Sequence, residues 1–207
     1  MSAKDCGNHD HKRRKLYRRL FSAFLAFVII VLLVILIIWL VLRPTKPRFV
    51  LQDASVYQFN LSGLNLLSTT VQISLVSRNP NDRIGVYYDR LVVYASYRNQ
   101  QVTLGTVLPS TYQGHNEVIV WSPFLNGASV PVSPYLGLAI GQDQNVGYYI
   151  LNIKVDGRVR WKVGTWISGH YHLNVNCPAY LRLDGHGGGG NGVMVKLQVP
   201  VGCSVDV

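Results

Sequence analysis

The sequence is poor in acid and poorer still in cysteine. Ten Asp and Glu stand against twenty Lys and Arg, and there are three Cys in 207 residues. It lacks the GxSxG of a nucleophile elbow, the HExxH of a helical zinc site, the CxxC of a dithiol pair and the P-loop. Enzymatic chemistry therefore has no candidate set, and no cofactor is expected. Gly185-His186-Gly187-Gly188-Gly189-Gly190 does satisfy G-x-G-x-x-G, but it precedes the strand-like run Val193 to Val199 and no βαβ unit surrounds it. It reads as a flexible loop. His170 and His172 would share one strand face without a placed third ligand, so no metal site is expected. Asp82, Asp89 and Glu117 show no pairing in the sequence, and Asp82 reads as turn chemistry after Asn79-Pro80-Asn81.

The surplus of base is local. Residues 1–19 carry a net +5, the short segment 43–48 carries +3, and everything from Phe49 onward only +2. A basic isoelectric point of this origin marks the flanks of a membrane segment and does not imply a nucleic-acid partner.

What the chain has in full is one long apolar run. Leu20 to Leu42 contains no charge, and Ser22 is its only polar side chain. As a helix it is ~34 Å long, enough to cross a ~30 Å hydrocarbon core with some tilt. Its β-branched stretch, Val28 to Val31, does not argue for a strand, because backbone in lipid must satisfy its own hydrogen bonds. No small-x-small cleavage site follows; Arg43-Pro44-Thr45-Lys46-Pro47-Arg48 does. A retained anchor is expected, the alternative being a buried core helix. Lys12, Arg13, Arg14, Lys15, Arg18 and Arg19 crowd its N-terminal side, which by the positive-inside rule is cytosolic. The same bases can attract anionic lipid. The expected organisation is thus a basic cytosolic tail too short to fold (1–19), a transmembrane helix (20–42), an extended, stiff Pro/basic linker (43–48) and one exported domain (49–207). The lipid bilayer is the first partner.

Cys6 falls on the reducing side, and its acylation stays open. Cys177 and Cys203 fall in the exported domain, where disulfides persist. Either they bridge, or they remain two buried thiols. Asn60-Leu61-Ser62 is the one N-x-S/T sequon with a permissive middle residue, which makes Asn60 a glycosylation candidate. The C-terminal Gly-Cys-Ser-Val-Asp-Val carries no hydrophobic tail and no retrieval signal.

From Phe49 the apolar period is two. Val71, Ile73 and Leu75 alternate with Gln72 and Ser74; Val93, Ala95 and Tyr97 alternate with their neighbours; Val118 to Trp121 is a further short run. Turn clusters at Asn79–Asp82 and Arg98–Gln101 separate them, so the domain is all-β. Ser133 to Gln142 predicts the one short helix, capped by Ser133 with Pro134 at its first position. Asp156-Gly157 predicts a hairpin. Apolar residues sit at odd numbers on both sides, so its loop must have an odd count, such as a three-residue loop closed by Gly157. The outer face would then carry Lys154, Arg158, Arg160 and Lys162. Such a stripe suits an anionic polysaccharide or a lipid headgroup; the plain alternative is a solvated strand face.

The basic N-terminus, the single anchor and Pro47-Arg48-Phe49 are followed by Phe59-Asn60-Leu61, Ser77-Arg78-Asn79-Pro80-Asn81 and Ile84-Gly85-Val86-Tyr87-Tyr88-Asp89. Ala95 to Gln100 and Val155-Asp156-Gly157-Arg158-Val159-Arg160-Trp161-Lys162-Val163-Gly164 complete the pattern. Together these resemble the plant NHL family, proteins similar to non-race-specific disease-resistance and harpin-induced proteins, whose exported part is a group-2 late-embryogenesis-abundant domain. The resemblance implies an immunoglobulin- or fibronectin-like β-sandwich, a plasma-membrane location, sometimes at plasmodesmata, and a non-enzymatic role in pathogen or stress response. A cell-wall component or another membrane protein would be its partner. A second class is lipid handling at the membrane surface, with Leu66, Leu67, Phe124, Leu125, Leu136 and Leu138 lining an apolar groove; core packing is the plainer role for these residues.

Overall fold

The computed structural model describes residues 6–41, 44–63, 65–183 and 195–207. The chain divides into two units, Met1–Arg43 and Pro44–Val207. The first is a helix, α1 (Cys6–Val41). It starts at Cys6 and not at Leu20, so the described part of the basic segment, residues 6–19, expected to be unfolded, is helical. Once the apolar run has formed its turns, each further residue adds a hydrogen bond without a new nucleation cost, and Lys and Arg are good helix formers. The stretch Leu16–Ile37 is long and apolar enough to cross a bilayer, and none of it is buried. Arg14, Arg18 and Arg19 are exposed. The side chains of Lys12, Arg13 and Lys15 lie outside the described residues, as does the glycine-rich loop from Gly185.

The second unit is built on long antiparallel strands. β1 (Arg48–Ser62) and β2 (Leu66–Arg78) form a hairpin, and β3 (Ile84–Tyr97) follows. The short strands β4 (Gln100–Gln101), β5 (Thr106–Leu108) and β6 (Thr111–Gln113) line one edge of β3. β7 (Val118–Trp121) and β8 (Phe124–Pro131) both pair with β2. After the helix α2 (Pro134–Val146) come β9 (Tyr148–Val163), β10 (Trp166–Ile167) and β11 (Tyr171–Leu183). The chain finishes with β12 (Val195–Leu197), β13 (Val201–Gly202) and β14 (Ser204–Asp206). The order β4-β3-β9-β11-β12-β1-β2-β7 is one curled sheet, which makes a β-sandwich: β3, β9 and β11 face β1, β2, β7 and β8. The last three strands sew the layers together. β12 pairs with both β11 and β1, β13 with β1, and β14 with β11. Phe49, Tyr88 and Trp121 meet between the layers with ring centroids 5.4 to 6.4 Å apart. Fully covered residues such as Leu75, Val93 and Ile153 fill the rest, each contributing roughly 1.5–3 kcal/mol by burial.

Asp156 and Gly157 do not turn the chain. β9 runs straight through them, and its buried residues keep odd numbers from Tyr149 to Trp161. The parity that a hairpin could keep only with an odd loop is kept by an unbroken strand with no loop at all. The glycine has a different purpose. β3 carries a bulge here: Tyr88 pairs with Val159, Arg90 with Arg158, and Asp89 is the extra residue. A Cβ on Gly157 would run into the Arg90 carbonyl oxygen and lie 2.5 Å from Leu91 Cδ2. Glycine inside a strand marks this kind of close backbone crossing. The bulge also reverses the parity of β3. Val86 and Tyr88 point inward before it, Leu91, Val93, Ala95 and Tyr97 after it, and Asp89 and Arg90 are the consecutive residues left uncovered.

The segment before β1 is not a free spacer. Asn81 Nδ2 donates to the Thr45 carbonyl (2.7 Å), and Thr45 N–H donates to Asn81 Oδ1 (2.8 Å). Asn79, fully buried, donates to the carbonyls of Ile84 (2.7 Å) and Gly114 (2.9 Å). Asn79-Pro80-Asn81 is thus a clasp as well as a turn. Buried amides must find partners, and the incoming backbone supplies them. Pro47 is buried.

At α2 the predicted start holds: Leu136 N–H donates to Ser133 Oγ at 3.3 Å, and Pro134 is the first helical residue. The helix outruns Gln142 as far as Val146. It stops where Gly147 takes φ 79°, the left-handed residue that ends many helices.

Candidate functional site

The outer face of β3, β9 and β11 carries six of the ten Lys and Arg that follow Phe49. Lys154, Arg158, Arg160 and Lys162 all lie on it, because even-numbered residues of β9 point away from the core. Their surroundings differ. Arg160 is paired: its Nε donates to Asp89 Oδ2 (2.8 Å) and Oδ1 (3.1 Å), and its Nη2 also donates to Oδ1. This two-pronged bond holds the Arg160 pKa above its ordinary value. His170 Nε2 stands 3.4 Å from the same carboxylate. Lys162 Nζ sits 5.1 Å from the ring centre of Tyr112 and 5.8 Å from that of Tyr87, two rings 4.5 Å apart. Lys154 is half-buried between Tyr94 on β3 and Asn176 on β11. Burial, then the neighbouring Asp156 carboxylate, raises the Tyr94 pKa.

Arg158 has no such partner. It is exposed, stands directly across from Arg90 on one side and His172 on the other, and makes no ion pair among the described residues; neither does Arg90. Between them lies a shallow basin of about 400 Å³, walled by Asp89, Arg90, Asp156, Arg158, His170 and His172. Its floor is the Gly157 crossing. Arg90 and the bulge that turns it outward are absent from the sequence reading. The signal was there, since the buried positions change from even to odd between Tyr88 and Leu91.

Other candidate residues stay apart. Asp82 accepts from Asn116 and Glu117 from the Gly114 N–H, so the carboxylates do not pair. Among the described residues no three His, Cys, Asp or Glu converge on a metal position. The groove residues scatter as well. Leu67, Leu125 and Leu136 are core, whereas Phe124 and Leu138 are exposed. The apolar void between Val56, Phe59, Tyr149, Leu151, Leu181 and Val195 measures about 10 Å³, room for one water at most and not for an acyl chain. Asn60 is exposed near the tip of the β1–β2 hairpin, ~40 Å along the strand from Arg48. Cys177, fully buried in β11, is disulfide-bonded to Cys203, with Cα atoms 4.3 Å apart.

The molecule is therefore an all-β sandwich preceded by one helix of membrane-crossing length, with a cationic outer face. Residues 74–177 match the late embryogenesis abundant protein family. Over 211 residues the chain is 54% identical to NDR1/HIN1-like protein 1 of Arabidopsis thaliana, covering 99% of this chain and 100% of that one. It is 53% identical to NDR1/HIN1-like protein 12, covering 100% of both, and 44% identical to NDR1/HIN1-like protein 26 over 79% of this chain and 78% of that one, both from the same plant. It belongs to the NDR1/HIN1-like family, a plant stress and defence family, and carries its late embryogenesis abundant domain.

Proposed function

We propose that the chain is a single-pass plasma-membrane protein of plant defence or stress response. In this reading α1 anchors it with the N-terminus in the cytosol, and the sandwich stands in the apoplast as a binding module, not a catalyst. The observation that carries the reading is the long apolar helical stretch Leu16–Ile37, with Arg14, Arg18 and Arg19 exposed at its N-terminal side. Apolar side chains at this density need lipid around them, and the charge bias sets the direction. Protease added to intact protoplasts should remove a C-terminal tag and leave an N-terminal one. The reverse pattern, or a mature chain cleaved after the helix, would overturn the anchoring.

The same topology exposes Asn60 to the glycosylation machinery. A glycan-removing enzyme should lower and sharpen the band, and Asn60→Gln should match it. The hairpin tip leaves that side chain accessible, so an unshifted band in both would count against passage through the secretory route.

A further inference from the structure

We infer that the row Arg90–Arg158 is the anchoring point of a site for a linear polyuronate, a sugar polymer carrying a carboxylate on each ring; this rests on the apoplastic placement of the domain. Two arginines directly opposite each other on antiparallel strands repel, and such a pair destabilises a sheet. Among the described residues no carboxylate pairs with either arginine. Of the two carboxylates in the basin, Asp89 is engaged by Arg160 and faces His170, and Asp156 is next to Tyr94. The bulge and Gly157 hold Arg90 on the outer face in spite of the repulsion. An anion held by both guanidinium forks supplies the missing partner.

The shape of the surface selects the kind of anion. Lys154, Arg158 and Lys162 are spaced four residues apart on one unbroken strand, so cations recur every ~13 Å along β9. A repeating, extended polyanion matches that ladder, whereas a single compact ion uses one rung. At the Lys162 end, the partly exposed Tyr112 beside Lys162 adds an apolar edge for a sugar ring. Asp156 is the discriminating group. It shares the basin with the two arginines. It opposes a phosphate or sulfate, which brings only charge, but accepts a hydrogen bond from a ring hydroxyl. Carboxylate and hydroxyl on one ring satisfy both halves of the basin.

The test uses the full chain in detergent micelles, without divalent cations, and fluorescence anisotropy of a labelled oligogalacturonate. Binding should be saturable, should weaken with salt, and should be lost when the carboxylates are methyl-esterified on the same sugar backbone. Arg90→Gln/Arg158→Gln should weaken binding about tenfold or more. Arg48→Gln/Arg78→Gln, which removes equal charge from β1 and β2 in the other layer, should change it little. Arg90→Lys/Arg158→Lys keeps the charge without the forks and should recover only part. Equal binding of the esterified oligomer, or equal loss in the two Gln double variants, would overturn the site. So would Arg90/Arg158-dependent adherence to phosphatidylserine vesicles that exceeds binding of the oligomer. Failure here with a C-terminal tag still outside the protoplast sinks the site alone; a reversed topology sinks both.

Discussion

Gly157→Val should cost the domain about 3 kcal/mol or more and lower its melting temperature by roughly 10 °C. The cause is backbone against backbone. The new Cβ meets the Arg90 carbonyl, and neither β3 nor β9 can withdraw without losing ladder bonds along strands that pair from Ile84/Val163 to Tyr97/Leu151. Gly157→Ala should show a smaller loss of the same origin. Gly157→Asn separates strand from turn. A left-handed turn glycine tolerates asparagine, whereas a strand glycine with no room for a Cβ does not. Thermal melts of the full chain in detergent decide it, and an asparagine variant as stable as the parent would rule out the close crossing.

Cys203→Ser should be nearly as damaging. The bond to Cys177 closes a loop of 26 residues, worth about 3.5 kcal/mol in the chain-entropy model. It fastens a terminus held otherwise by short pairings and exposed contacts. β14 pairs with β11 at Asn174–Asn176 and β13 with β1 at Val50–Leu51, and near them are the Cys203 N–H to the Phe49 carbonyl (2.9 Å), Ser204 Oγ to the Asn176 carbonyl (3.3 Å), Lys46 to the Val205 carbonyl (3.3 Å) and the exposed Lys46–Asp206 ion pair (3.7 Å). The expected result is a melting temperature lower by several degrees to about 10 °C, with early protease cleavage after β12. Non-reducing peptide maps of the extracted protein should contain the linked Cys177 and Cys203 peptides. Two thiols open to alkylation in the native chain would refute the bridge, and with it the oxidising compartment.

The two losses differ in kind, and that difference bears on the outer face. Gly157→Val disturbs the floor of the arginine basin, so it should impair binding together with stability. Cys203→Ser acts at the seam between β11 and β1 and should leave the basin as it is, provided the domain is still folded at the temperature of measurement.

The sequence by itself determined what depends on local period and composition. Twenty-three residues without a charge specify a helix of membrane length whatever surrounds it. Alternation at Val71–Leu75 and Val93–Tyr97 specifies strands, and Ser133-Pro134 specifies where α2 begins. The family motifs were legible too, as strings. Only the tertiary structure decided which strands meet and in what register. The odd parity from Tyr149 to Trp161 fits a hairpin with an odd loop and an uninterrupted strand equally well; the choice falls to β3 and β11, which pair with β9 on both sides of Gly157. Likewise Asn79 and Asn81 read as turn residues until Thr45 is placed against them. Arg90 has no special standing until a bulge opposite Gly157 sets it beside Arg158. Hydrophobic period is a property of neighbours along the chain. The demands of a buried amide, a crossing backbone or two facing charges are set by residues up to seventy positions away, and those become neighbours only when the sheet closes.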